Sequence, residues 1–298
     1  MNKQLQKGYI ALGIVSFLWG TTYIAARIGA QHMPGLFVAG LRQFSAGVIM
    51  VSFFLVKGYK IPDWDSLKRI SIQGILLLCF ANGMFTWSVE YISGGLAAII
   101  GALVPILVAI FSIGLMKHAK FTWLMVGGLL VGFGGVILIF YDYLSQFAKG
   151  SFGFGVLLAF LGTICWAFGT VYGSRKKLPV DILFNVGLQM LIAGIVTLVI
   201  CALSGKLVNP VHAGIESWYA LLYLVVFGSL IAYSAFGIAI SKLPPTLVSI
   251  YAYINPIVAV ILGWAMLNEK MNANMLLGTL VTLGGVFLVN REFKKQKV

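Results

Sequence analysis

Charge is scarce in this sequence: only 10% of its 298 residues are charged, and just eight of them are acidic. A soluble domain carries about a quarter. So few charges cannot cover the surface of a water-soluble fold of this length, which excludes a soluble enzyme. Histidine is also sparse, and His32, His118 and His212 all fall outside the apolar runs. Asp63 and Asp65 share a polar loop, while Asp142 and Asp181 stand alone. No Ser–His or paired-carboxylate arrangement is left for an enzyme working at membrane depth. Three cysteines, Cys79, Cys165 and Cys201, lie far apart inside apolar runs. They have no metal-ligand spacing and read as small core residues, so no metal site is expected. A phosphate-cradling glycine motif is missing too, and neither a cofactor nor an ATPase partner is called for.

What is present is hydrophobic. Sixty per cent of the residues are apolar and the mean hydropathy is +0.98. The apolar residues form continuous runs at about 8–30, 34–56, 70–91, 94–116, 122–141, 153–174, 181–203, 215–240, 244–267 and 272–290. Each is close to the roughly 20 residues that span a bilayer. A transmembrane β-barrel would alternate apolar and polar positions, and these runs do not. The first run follows a short basic stretch but is too long for a signal peptide.

The net charge of +13 does not indicate a nucleic-acid partner, because the lysines and arginines sit in short segments between runs rather than in an aromatic-interleaved patch. With the N-terminus cytoplasmic, sixteen of the 21 fall on the inner side, three on the outer (Lys149, Lys206, Lys270) and two within spans (Arg27, Arg42). The positive-inside rule therefore predicts a multi-pass protein of the cell (inner) membrane with both termini in the cytoplasm.

The chain also looks duplicated. Trp19, Gly40-Leu41 and Ala46-Gly47 have counterparts in Trp166, Gly187-Leu188 and Ala193-Gly194 at a constant offset of 147. Pro105-Ile106 matches Pro256-Ile257 at 151, and Gly134-Gly135 matches Gly284-Gly285 at 150. Five spans is an odd number, so a second copy crosses the membrane in the opposite sense. The expectation is an all-α membrane protein of ten transmembrane helices in two inverted five-helix repeats, residues 1–148 and 149–298. That layout is common to many secondary transporters, with binding near the midplane between repeats.

Trp19-Gly20, Arg42 early in the second span, Pro105, and the run Leu267-Asn268-Glu269-Lys270 followed by Gly278 and Gly284-Gly285 together resemble EamA-type transporters of the drug/metabolite transporter superfamily. The resemblance covers residues 8–291. It departs at one point, where the first copy has His118 against Glu269 of the second, although this family often carries an acid at both. It implies a 5+5 inverted-repeat bundle that exports small metabolites, often amino acids or related compounds.

Ionisable groups inside spans are functional candidates, because burying each costs about 2.5–3.5 kcal/mol on insertion scales. Arg27, Arg42 and Glu90 all lie in the outer half of their spans. Arg42 and Glu90 are expected either to form a structural ion pair, or to act separately. In the second case Arg42 attracts a substrate carboxylate and Glu90 takes and releases a proton.

Helical spacing then gathers polar and aromatic residues on shared faces. These are Trp19 and Tyr23; Asn82, Phe85 and Thr86; Trp166 and Thr170; Tyr233 and Phe236; and Tyr251 with Asn255. They are the candidate substrate-binding residues, lining an aromatic cavity with scattered hydrogen-bonding groups. Pro105 and Pro256 are candidate hinges, since each removes a backbone donor in mid-helix. The glycines at 127, 128, 132, 134, 135, 278, 284 and 285 suit close helix contact and have no substrate role. Glu269 reads as a loop or cap residue. The reading is an exporter of small molecules working by alternating access, embedded in the lipid bilayer. A passive channel or facilitator, or a multidrug exporter, is the alternative.

Overall fold

The structure, a computed structural model, describes residues 3–115, 122–141, 150–207, 214–249, 251–268 and 272–295. His118, Asp142, His212 and Glu269 lie outside the described residues, so their expected roles are not addressed by it. Among the described residues the regular structure is entirely helical.

In chain order the helices are α1 (Lys3–Gly29), α2 (Gly35–Val56), α3 (Trp64–Ser88), α4 (Gly94–Gly101), α5 (Val104–Leu115) and α6 (Trp123–Tyr141). They continue with α7 (Gly150–Ser174), α8 (Ile182–Leu203), α9 (Ile215–Lys242), α10 (Pro245–Val248), α11 (Tyr251–Leu267) and α12 (Ala273–Lys295). Among the described residues, seven helical stretches are long and apolar enough to cross a membrane: α1, α2, α3, Gly94–Ser112 of α4 and α5, α7, α8 and α9. Shorter apolar stretches occupy α6, α11 and α12. Large apolar side chains such as Phe17, Phe133 and Leu280 remain exposed on the bundle's outer face. That placement suits lipid and not water.

The ends of the helices follow local chemistry. Asp63 accepts the Ser66 N–H at 3.1 Å to cap α3, Ser93 accepts the Leu96 N–H at 3.1 Å to cap α4, and Asp181 accepts the Leu183 and Phe184 N–H groups to cap α8. Hydrogen bonds from Ser66, its side chain first and its N–H second, hold the exposed Asp63 carboxyl below the usual carboxylate range. Helices α2 and α8 end in the same way. Gly58 and Gly205 take positive φ of 83° and 64°. The N–H groups of Tyr59 and Lys206 reach back to the carbonyls of Phe54 and Cys201, while those of Gly58 and Gly205 reach Leu55 and Ala202. Glycine serves at both positions because a left-handed residue must close the helix.

Small residues set the spacing of the bundle. On α2 and α8, a Cβ at Gly47 would overlap the Leu191 backbone, and one at Gly194 the Phe44 backbone. Gly135 and Gly285 bring α6 and α12 equally close, facing Thr282 and Gly132 respectively. Thr282 Oγ1 donates to the carbonyl of Gly278 at 2.8 Å across one turn. Contacts this tight are what small side chains provide where lipid offers no hydrophobic drive for helices to associate.

Two helices depart from the α-helical repeat at matching places. Ile75–Asn82 within α3 and Leu224–Ile231 within α9 are π-helical, eight residues each, and 149 positions separate Ile75 from Leu224. A further interruption divides α4 from α5 at Ala102 and Leu103, with Pro105 in the first turn after it. Pro105 therefore departs from the expected mid-helix position, whereas Pro256 lies inside α11 as expected, with the short α10 ending ahead of it at Val248.

Candidate functional site

The bundle encloses a cavity of about 730 Å3 of empty space, counting its opening to solvent. Its floor is a layer of interlocked aromatic rings. Trp19 meets Trp166 edge-on at 5.1 Å between centroids and Tyr251 at 4.9 Å, with Phe236 tilted against it at 5.2 Å. Tyr233 stacks on Phe236 at 5.9 Å. Trp19, Tyr233, Phe236 and Tyr251 are buried from solvent. Deep burial of both tryptophans agrees with their depth in the sequence and removes them from the interfacial belt.

Ten of the twelve residues expected to bind substrate line this cavity. Trp19, Tyr23, Arg42, Asn82 and Phe85 do so, as do Thr86, Trp166, Tyr233, Tyr251 and Asn255. Phe236 instead supports the aromatic layer from its other side. Thr170 is buried off the cavity, with no partner for its hydroxyl among the described residues. Asn255, with its amide oriented to suit both neighbours, donates to the carbonyls of Ser16 and Tyr251 at 3.1 Å.

Arg42 is the most demanding side chain here. It is 4% exposed, and its Nε donates to Ser229 Oγ at 2.8 Å. Among the described residues no acid pairs with it and no hydrogen bond reaches its two terminal nitrogens, and the side chain belongs to the cavity's lining. Gly228 makes room for the guanidinium, since a Cβ there would stand 2.7 Å from Nη2. Ser229 lies in the π-helical part of α9 and donates to Gln43 Oε1 at 3.4 Å. Gln43 Nε2 donates to Asn82 Oδ1 at 3.1 Å, in the π-helical part of α3. The extra residue in each π turn opens the helix wall and turns these polar groups inward.

Of the two alternatives for Arg42 and Glu90, the ion pair is not formed. Glu90 is half-buried and accepts the N–H of Gly35 at the start of α2, and Arg27 donates to the carbonyl of Val89. A carboxylate at a helix N-terminus satisfies an otherwise unpaired donor and suits the helix dipole. Together these contacts tie the ends of α1, α2 and α3 at what we call the glutamate end of the bundle.

A second cavity, with about 1050 Å3 of empty space counting its opening to solvent, lies at the opposite end, bordered by Lys176, Lys177 and Lys242. Tyr233 lines both cavities and so stands in the partition between them. Its hydroxyl donates to Gln189 Oε1; Gln189 Nε2 in turn donates to Asn185 at 2.9 Å and Gln73 at 3.2 Å. Reasoning from helical faces missed Gln43, Gln73, Asn185 and Gln189. A signal for Gln189 existed, because the 147-residue offset makes it the counterpart of Arg42.

These features define a helical membrane protein with a polar, aromatic-walled cavity at its core and a second cavity behind a thin partition. The EamA-like transporter family matches residues 6–141 and again 153–291, and the chain belongs to that family. It is 34% identical over 272 residues to the Escherichia coli K12 protein named "Uncharacterized inner membrane transporter YedA", covering 91% of this chain and 86% of that one. The Bacillus subtilis "Uncharacterized transporter YvbV" is 26% identical, with 99% and 96% covered. The Arabidopsis thaliana "WAT1-related protein At3g02690, chloroplastic" is 28% identical, with 92% and 67% covered. A solved structure titled "Crystal structure of protein" superposes with a TM-score of 0.68 over 98% of this chain and 99% of that chain, at 17% identity, and so shares the fold. The protein is accordingly a membrane transporter, with a small-molecule substrate.

Proposed function

We propose that the protein is a secondary transporter that exports small carboxylate-bearing metabolites, amino acids or related compounds, by alternating access. The carrying observation is the pair of cavities divided by one layer of side chains, with Tyr233 belonging to both. A two-state carrier needs such a partition, which yields on one side while the other side closes. On this reading the chain is a ten-span bundle of inverted repeats, 1–148 and 149–298, with both termini and the lysine end in the cytoplasm. The π-helical segments, the glycine closures of α2 and α8, and the two stretches matched by the family support the duplication.

The residues lining the central cavity, Trp19 and Trp166 above all, form the substrate's walls, and the interruptions near Pro105 and ahead of Pro256 give α4–α5 and α10–α11 places to bend. Glu90 is the acid through which proton coupling would run; its engagement with Gly35, off the cavity, favours a role as a tie at the rim. A multidrug exporter of cations is disfavoured because Arg42 gives the cavity a positive field. The test is solute counterflow in proteoliposomes preloaded with neutral amino acids and simple carboxylates, with and without a pH gradient. Saturable exchange is expected. Linear, unsaturable flux would instead establish a channel.

A further inference from the structure

We propose that the central cavity selects a net-anionic monocarboxylate with an apolar or aromatic body, in preference to the matching zwitterion or amine. This rests on the transporter reading above and narrows it, placing monocarboxylates related to amino acids ahead of the zwitterionic amino acids themselves. Of the described residues lining the cavity, Arg42 alone is charged, and no acid is among them. A buried guanidinium without a counter-ion is costly, and a carboxylate that fills its free fork compensates it bidentately. Nε is held by Ser229, which leaves the two terminal nitrogens as the fork on offer.

Among the described lining residues no carboxylate awaits an ammonium group, and two amide oxygens of the lining are each already engaged once. Asn82 Oδ1 already accepts from Gln43, and Gln43 Oε1 from Ser229. Ring faces attract cations only weakly, and Arg42 repels a second positive charge in the same enclosed space. A phosphate dianion fits poorly as well, because one arginine leaves half its charge unpaired in a largely apolar chamber. The rest of the cavity suits a flat apolar body. Its walls include Trp19, Tyr23, Phe85, Trp166 and Val104, and the glycine at 101 lets the Tyr23 and Phe85 rings sit close against α4, since a Cβ there would stand 2.8 Å from the Tyr23 hydroxyl.

The test compares 3-phenylpropionate, L-phenylalanine and phenethylamine, three probes with one ring and different charged groups. Binding is read by thermal shift on the purified protein and transport by counterflow in proteoliposomes. We expect 3-phenylpropionate to bind at least tenfold tighter than phenylalanine, with no response to phenethylamine. Arg42→Gln should erase that preference, and Arg42→Lys should restore part of it. If Arg42→Gln fails to fold, Gly228→Ala, which crowds the guanidinium, should weaken 3-phenylpropionate about tenfold. Equal or tighter binding of phenylalanine overturns the inference, as does binding of none of the three probes. So does unchanged 3-phenylpropionate binding in a folded Arg42→Gln protein. Binding with the expected preference but no counterflow of any probe upholds the selectivity and sinks the transporter reading; saturable counterflow without preference does the reverse.

Discussion

Replacing Tyr233 with phenylalanine should loosen the lysine-side partition while leaving the aromatic layer packed. The ring keeps its stacking on Phe236 and Trp19, so the change isolates the hydroxyl. That hydroxyl donates to Gln189, which is 3% exposed. Removing the donor strands a buried acceptor, which costs about 1–3 kcal/mol. Because the cost falls only on the conformation in which the partition is closed at the lysine end, about 2 kcal/mol shifts the equilibrium roughly thirtyfold toward the conformation open there. The assay is the rate at which a membrane-impermeant thiol reagent, added at the lysine end, modifies Thr22→Cys, a cavity-lining position, in a chain whose three native cysteines are replaced. The rate should rise by at least tenfold. An unchanged rate in a protein that still binds substrate would refute the idea that this hydrogen bond helps to seal the cavity.

Three other predictions follow from the packing and the caps. Gly47→Ala and Gly194→Ala each push a Cβ into facing backbone and should destabilise the bundle by about 1–3 kcal/mol, read as a lower midpoint in fluorescence-detected thermal unfolding. Trp19→Ala and Trp166→Ala each remove a ring shared by the same layer; both should raise the half-saturation concentration in counterflow, and unchanged kinetics would dissociate these rings from the substrate's path. Because the folded Asp63 carboxyl is depressed below its usual value, its stabilisation of the start of α3 is fully present above about pH 4. It is lost as pH falls through the lower folded value, so Asp63→Asn should flatten the acid limb of the stability profile.

Much of the site was legible because a membrane interior leaves few polar residues to choose among. Arg42, Asn82, Thr86 and Asn255 stand out against apolar runs, and the helical period places the last three beside an aromatic on the same face. What the period could not show was a change of period. The π-helical turns in α3 and α9 rotate the residues beyond them, so Gly228 reaches the cavity with Tyr233 and Ser229 meets Arg42 behind it, while Phe236 falls on the far side of the aromatic layer. The sequence puts Arg42 and Glu90 in the same half of the bundle, but depth does not make a pair: Glu90 found a partner in the otherwise unpaired N–H at the start of α2. Gln189 was passed over because the repeat preserves the position of Arg42 but not its chemistry. A neutral amide there holds the partition where its counterpart holds the cavity.

The central claim is that the two ends open in alternation, and distances measured by electron–electron resonance between paired spin labels test it most directly. One pair would sit at Lys177 and Lys242 on the lysine end, the other at Gln31 and Ser151 near the glutamate end. Alternating access predicts two distances in each pair, with the long one gaining population at the lysine end and losing it at the glutamate end when Tyr233→Phe is introduced. A single fixed distance in both pairs, or both ends widening together, would contradict it.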